Sequence, residues 1–206
     1  MTTLLPGRFA SLLLGMMLAL LAAGSLAMAP EPDPIPRRWE LDVELSPLRV
    51  HVLETKDGPR AFYYMTYRVT NNSGEDLLLA PLFEMVVDKG EPVRAGRSVP
   101  AEVNKQLLDR LQDGMILDQI SAIGLLKQGK EHTREAMVAW PADHHRPDSV
   151  TVYAVGFSGE TATVKTEQGQ TVLLRKTKMV RYAPPGEIPA LRDRPLEPVE
   201  TRWIMR

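Results

Sequence analysis

The sequence predicts an all-β protein built as an antiparallel sandwich with one short helical insertion. Three features carry this prediction. Apolar and polar residues alternate with a period of two in many short segments, which is typical of strands with one buried face. Residues that favour turns separate these segments at short, regular intervals. The alternating segments also contain the β-branched and aromatic residues that favour strands.

The first segment of the 206-residue chain is typical of export. Arg8 precedes an apolar run from Phe9 to Ala22, and small residues follow, which is the pattern of a secretory signal peptide. We therefore predict a signal peptide at residues 1–27. The apolar stretch 9–29 is also long enough to span a membrane. The alternative is thus an uncleaved anchor that would tether the protein to the inner membrane.

Alternate prolines characterise residues 28–38. Because proline lacks the backbone N–H donor, we predict a stiff, extended linker in this segment. Two early strands follow at residues 39–44 and 48–54. His51 lies in the second of these strands and points away from its two valine neighbours, so it is predicted to face solvent.

The clearest strand pattern lies at residues 61–69. Met65, Tyr67 and Val69 form the more apolar of its two alternating sets, and we predict that they point into the core. The tyrosine and threonine residues suit a sheet whose other face is in contact with water. Residues 71–74 contain asparagine, serine and glycine, which predict a turn before the next strand.

The alternation gives way to a helical period at about residues 99–113. Val103, Leu107, Leu108 and Leu111 fall on one stripe of a helix. We predict one helix here and expect it to close an open end of the sandwich. The functional alternative is a helix that binds a partner.

Further strands and a proline-rich tail complete the organisation of the chain. The sandwich domain is predicted to span residues 39–183. Residues 184–206 form a proline-rich tail, and its last piece, 199–205, alternates and is expected to dock as an edge strand. The later strands are predicted at residues 135–140, 150–157, 162–166, 171–175 and 178–182.

Composition excludes several classes of function. The net charge of −1 gives no basis for binding nucleic acid. The chain has no cysteine, so it has neither disulfides nor cysteine metal sites. The basic residues Arg175, Lys176, Lys178 and Arg181 lie on one strand but face both of its sides. They are interpreted as a solvated edge, with contact to an anionic glycan or phospholipid as the alternative.

One group of residues has the chemistry of metal ligands, namely Asp143, His144 and His145. Adjacent histidines on a strand point in opposite directions, and zinc requires three or four converging ligands. A solvated loop is therefore the main interpretation. The alternative is a periplasmic copper- or zinc-binding protein that uses this loop together with His132.

No catalytic motif is present. Residues 156–160 resemble a nucleophile elbow, but the glycine that must stand two residues after Ser158 is replaced by Glu160. We expect a protein that is not an enzyme, and we assign no catalytic, cofactor-binding or metal-binding residues. A hydrolase with an unrecognised site would instead require acidic residues to converge in a cleft.

Three stretches resemble uncharacterised exported bacterial proteins of a planctomycete type. They are YRVTNNSGEDLLLAPLFEMVVDKGE, KQGKEHTREAMVAWP and VYAVGFSGETATVKTEQGQTVLLRKT, and the terminal RWIMR joins them. The first stretch is similar to the strand-turn-strand of immunoglobulin-like envelope modules. The resemblance covers roughly residues 39–206. It implies export and an immunoglobulin-like sandwich, and it carries over no site residues.

These observations together predict an exported protein of the cell envelope, located in the periplasm or outside the cell. Its expected role is that of a non-catalytic binding or structural module. The expected partner is another envelope protein or polymer, with no cofactor and no nucleic acid.

Overall fold

The computed structural model describes residues 29–166 and 168–206, and Glu31–Arg206 form one compact unit. The predicted signal segment lies outside the described residues. The described residues form antiparallel sheets and one α-helix, which confirms the all-β class. The strands are β1 (Asp42–Leu45), β2 (Arg49–Thr55), β3 (Gly58–Thr70), β4 (Leu77–Leu79), β5 (Leu82–Val87), β6 (Val93–Arg94), β7 (Gly124–Leu126), β8 (Arg134–Pro141), β9 (Val150–Val155), β10 (Thr161–Lys165), β11 (Thr171–Tyr182) and β12 (Pro198–Met205). The helix α1 spans Ala101–Leu111, and 3₁₀ turns span Lys130–His132 and Ile188–Leu191.

The first sheet is organised around the long strand β3. β1 pairs with residues 67–70 of β3 and β2 with residues 58–64, so together they cover one edge of that strand. Pro47, which cannot donate a backbone hydrogen bond, separates β1 from β2. β8 pairs with residues 62–69 along the other edge.

The second sheet is organised around β11. The N–H of Arg175 donates to Arg206, whereas the N–H of Lys176 donates to Glu160, and successive residues of a strand direct these groups to opposite edges. β12 therefore lies along one edge of β11, with β10 and β9 along the other. β9 also pairs with β5, and β5 pairs with β6.

One hydrophobic core joins the two sheets. The prediction that Met65, Tyr67 and Val69 point inward is confirmed, because each is at most 1% exposed. The ring of Tyr67 lies 4.8 Å from that of Phe83 on the second sheet, measured between centroids. The first sheet also contributes Val43, Val50, Tyr63, Val138 and Trp140 to this core, and the second contributes Met85, Val150, Val152, Ala154, Val180 and Tyr182.

Helix α1 covers the outer face of the first sheet. Its buried residues Val103 and Leu107 pack against Phe62 and Tyr64 of β3 in a second apolar cluster. The expectation that the helix closes an open end of the sandwich was therefore wrong. The expectation of a water-facing side of β3 was wrong at Phe62 and Tyr64, whereas Arg68 on the same side is exposed. Phe62 and Tyr64 are large enough to need a cover on this face, and the apolar stripe of α1 supplies it.

The segment after β11 belongs to the compact unit instead of trailing behind it. Ile188, Leu191 and Leu196 are buried in the main core. The backbone N–H of Leu196 donates to the carbonyl of Leu48 at 2.8 Å. The domain that was predicted to end at residue 183 therefore includes this segment, which runs beside β2. β12 follows it and pairs with β11.

Among the residues that the structure describes, no helix is both long enough and apolar enough to cross a bilayer.

Candidate functional site

The histidine-rich loop between β8 and β9 does not assemble a metal centre in the described structure. Asp143, His144 and His145 are exposed, and Asp143 Oδ1 accepts a hydrogen bond from Arg60 at 3.0 Å. His132 lies in the first 3₁₀ turn, beside Glu131. Within residues 29–166 and 168–206, no three His, Asp or Glu side chains are placed to hold one ion together.

The basic stretch on β11 is not a solvated edge. Lys176 is 3% exposed, and its Nζ lies 2.8 Å from Glu40 Oε2 and 3.0 Å from Glu160 Oε2. Burial disfavours the charge of Lys176, but the two carboxylates outweigh burial and raise the pKa of this ammonium. The interpretation as a water-exposed basic strand was thus wrong at Lys176. The two carboxylates belong to Glu40 and Glu160, and the alternation of residues within β11 gave no indication of either contact.

A cleft lies between the end of α1 and the outer face of β2, and we call it the Asp193 cleft. Its volume is about 810 Å³. Asp193 follows the second 3₁₀ turn and lines the cleft, and its side chain is 19% exposed. The cleft is lined by Arg49, His51 and Leu53 of β2, Tyr64 of β3, Gln106, Asp109, Arg110 and Leu111 of α1, and then Gln112 and Asp193.

The carboxylate of Asp193 gathers donors from three elements. Tyr64 donates its hydroxyl to Asp193 Oδ1 at 2.9 Å. His51 Nδ1 lies 2.7 Å from Oδ2, and the guanidinium of Arg110 donates to the same oxygen. Arg49 donates to the backbone carbonyl of Asp193 at 2.7 Å. The network therefore joins the first sheet, the helix and the C-terminal segment.

The backbone at Asp193 is in an uncommon conformation. Arg192 and Asp193 have φ values of 41° and 65°, so two consecutive residues other than glycine occupy the left-handed region. Such residues cost on the order of 1–3 kcal/mol each and persist only where the surroundings enforce them. The hydrogen bonds to Asp193 are the enforcing contacts.

The environment of Tyr64 follows from the same network. Burial and the hydrogen bond to Asp193 raise the pKa of Tyr64 to about 12. The phenol is therefore neutral at ordinary pH and keeps the proton that it donates to Asp193.

His51 shows how far the sequence could foresee this site. It was predicted to face solvent, but it is only partly exposed because Asp193 and α1 lie over it. Alternation placed it on the correct side of β2. Tyr64 and Asp193 are 129 positions apart, and no local motif links them.

An apolar surface forms a second candidate site. Leu78 of β4 pairs with Leu125 of β7, and their side chains are 71% and 55% exposed. Met115, which is 81% exposed, lines the same depression as Leu125. Ile120 and Ile123 are 80% and 51% exposed and lie in the turn just before β7. Eleven large apolar residues are exposed in the described part of the chain, and these are five of them.

Comparison with family models, curated proteins and solved structures found no match to this chain.

Proposed function

We propose that this protein is an exported, non-catalytic interaction module of the cell envelope that holds a partner protein on its apolar surface. The observation that carries the proposal is the exposure of five large apolar residues that lie on β4, on β7 and in the segment leading into β7, namely Leu78, Met115, Ile120, Ile123 and Leu125. Large exposed apolar patches in soluble proteins mark sites of interaction.

The size of the surface supports binding of a protein. Complete burial of one large apolar side chain is worth about 1.5–3 kcal/mol, so covering five that are at least half exposed gives on the order of 5–10 kcal/mol. The strands β4 and β7 form a two-stranded sheet with each other. Arg134 occupies the outer edge of β7, where it donates to the carbonyl of Leu125 at 2.9 Å. The outer edge of β4 lies beside the exposed Leu78, and an extended segment of a partner can pair with such an edge.

Other features support export and an immunoglobulin-like sandwich. The first 27 residues have the pattern of a signal peptide. Two antiparallel sheets share one core, as they do in sandwiches. An uncleaved signal segment would tether the module to the inner membrane, and cleavage would release it.

The residues that line the Asp193 cleft lack the nucleophile of a catalytic triad. A histidine paired with an aspartate also occurs in catalytic triads, where the histidine activates a serine or cysteine. The residues that line the cleft include no serine, threonine or cysteine. Asp193 is engaged by Tyr64 and Arg110, and Asp109 pairs with Lys105 at 2.6 Å. The two carboxylates are thus already paired.

Affinity capture tests the proposal. The full chain, tagged at its C-terminus, is used as bait in an envelope extract from cells that naturally produce it. A variant with Ile120→Ser and Ile123→Ser is compared with Ile35→Ser, which changes an isoleucine that is equally exposed, at 80%, but lies in the linker. The exposed positions make these changes compatible with folding.

We expect the wild type and Ile35→Ser to retain the same stoichiometric partner and the double variant to lose it. Equal capture by all three proteins, or none by the wild type, would sink the proposal. If the purified chain turned over a substrate and one point substitution abolished that turnover, the non-catalytic role would be wrong.

A further inference from the structure

The Asp193 cleft contains more hydrogen-bond donors than acceptors. A guanidinium has five N–H groups, and the contacts to Asp193 use one nitrogen each of Arg49 and Arg110. His51 directs Nδ1 to Asp193, which leaves its Nε2 as the other ring nitrogen in the cleft. The remaining N–H groups of both arginines are therefore able to serve a ligand.

The two arginines of the cleft suit the recognition of an oxyanion. Arg49 and Arg110 contribute two positive charges, and Asp193 and Asp109 contribute two negative ones, so the charged lining residues balance. Asp109 is also paired with Lys105, at 2.6 Å. Guanidinium groups match carboxylate and phosphate oxygens in two-pronged hydrogen bonds.

The remaining lining residues indicate an organic molecule. Leu53 and Leu111 give the cleft apolar walls, and Gln106 and Gln112 bring amide groups. A volume of about 810 Å³ exceeds what a bare inorganic ion would need and falls in the range of small-molecule sites. The network that enforces the left-handed backbone at Asp193 also orients the donors.

We propose that the Asp193 cleft binds a small organic oxyanion, whose carboxylate or phosphate group contacts Arg49, His51 and Arg110. This site is separate from the apolar surface, so the two proposals succeed or fail independently. The network around Asp193 holds the three cationic or donor groups in place before the ligand arrives, and such pre-organisation lowers the cost of binding.

Proton NMR of the full chain offers a local test, because the sequence contains only four histidines. The imidazole Hε1 signal of His51 is identified by its loss in His51→Gln. Inorganic phosphate, citrate and the neutral control glycerol are then titrated at constant pH. The signals of His132, His144 and His145, which do not line the cleft, report on binding elsewhere.

We expect phosphate, citrate or both to shift the His51 signal saturably, with glycerol causing no shift. Arg110→Gln should weaken this binding about tenfold or more, as expected for the loss of a charged hydrogen bond. Arg97→Gln, an exposed arginine outside the cleft, should leave it unchanged. Raising the ionic strength should weaken it as well.

The two probes also distinguish the ligand class. A response to phosphate alone indicates a phosphate ester, and a response to citrate alone indicates a carboxylic acid. The proposal is overturned if neither probe shifts the His51 signal, or if all four histidines shift in parallel. Equal affinity in Arg110→Gln and Arg97→Gln would also overturn it. Arg110 is 46% exposed, so its replacement is compatible with folding.

Discussion

Replacing Asp193 by alanine tests whether its network holds the C-terminal segment against the sheet and the helix. The change removes the acceptor of Tyr64, His51 and Arg110 together. The hydroxyl of Tyr64 is left in a residue that is 4% exposed, where water cannot easily replace the lost partner. We therefore expect a measurable loss in the free energy of unfolding.

The size of this loss follows from the burial of each partner. A buried hydrogen bond to a charged group is worth about 1.5–3 kcal/mol, which is the expected cost at Tyr64. His51 and Arg110 are 23% and 46% exposed. Solvent screens such pairs, so each adds only about 0.2–1 kcal/mol. The free energy of unfolding should fall by about 2–5 kcal/mol in total.

Two further substitutions distinguish the contribution of the Asp193 carboxylate from that of its left-handed backbone conformation. Asp193→Gly loses the same carboxylate, but glycine adopts the φ of 65° without a Cβ clash. It should therefore be about 1 kcal/mol more stable than the alanine variant. Asp193→Asn keeps an acceptor oxygen for Tyr64 and tolerates the left-handed region, so its loss should be smaller.

Urea unfolding followed by circular dichroism measures these differences. Asp148→Ala, a change of an exposed aspartate in the β8–β9 loop, serves as the control and should stay within about 0.5 kcal/mol of the wild type. If all three Asp193 variants also stayed within that margin, the Asp193 network would not contribute to holding the C-terminal segment in place.

Three other predictions concern the core and its buried charges. Lys176→Met should lower the free energy of unfolding by about 3–5 kcal/mol, because it leaves the carboxylates of Glu40 and Glu160 without their positive partner. Burial opposes the ionisation of Glu160, but hydrogen bonds and Lys176 hold its pKa below the ordinary 4.5. The stability that this lowered pKa provides is therefore present above pH 4.5 and is lost as the pH falls below it. This loss on acidification should be smaller in Lys176→Met than in the wild type. Tyr67→Phe should raise stability by about 1 kcal/mol, because no described residue bonds its buried hydroxyl. Leu107→Ala should lower the free energy of unfolding by about 2–5 kcal/mol, because Leu107 is fully buried. Leu108→Ala should lower it by a smaller amount, because Leu108 is only partly buried. Denaturant titration of each variant checks these predictions, and for Lys176→Met it is repeated at acid pH.

The sequence predicted those parts of the fold that depend on local periodicity. Alternation in β3 assigned Met65 and Tyr67 to the core, because each face of a strand has a period of two. The apolar stripe at Val103 and Leu107 likewise indicated a helix. The face that the helix covers could not be predicted, since Phe62 and Tyr64 fit a buried face as well as their neighbours do.

The candidate sites depend on long-range contacts, and local patterns carry no signal for these. Asp193 lies in a stretch that composition marked as a tail, yet its side chain reaches Tyr64, 129 positions earlier. Lys176 was grouped with basic neighbours, and its burial follows from Glu40 and Glu160. Ile120 and Leu125 are exposed although they are apolar, and no pattern in the sequence predicts this exposure.

Photo-cross-linking in cells that naturally produce the protein tests whether the apolar surface binds a partner protein. A photoreactive amino acid replaces Ile120 on the apolar surface or, as the control, Ile35 in the linker, both of which are 80% exposed. We expect one discrete cross-linked protein from position 120 and none from position 35. The same products from both positions, or none from position 120, would contradict a partner-binding surface.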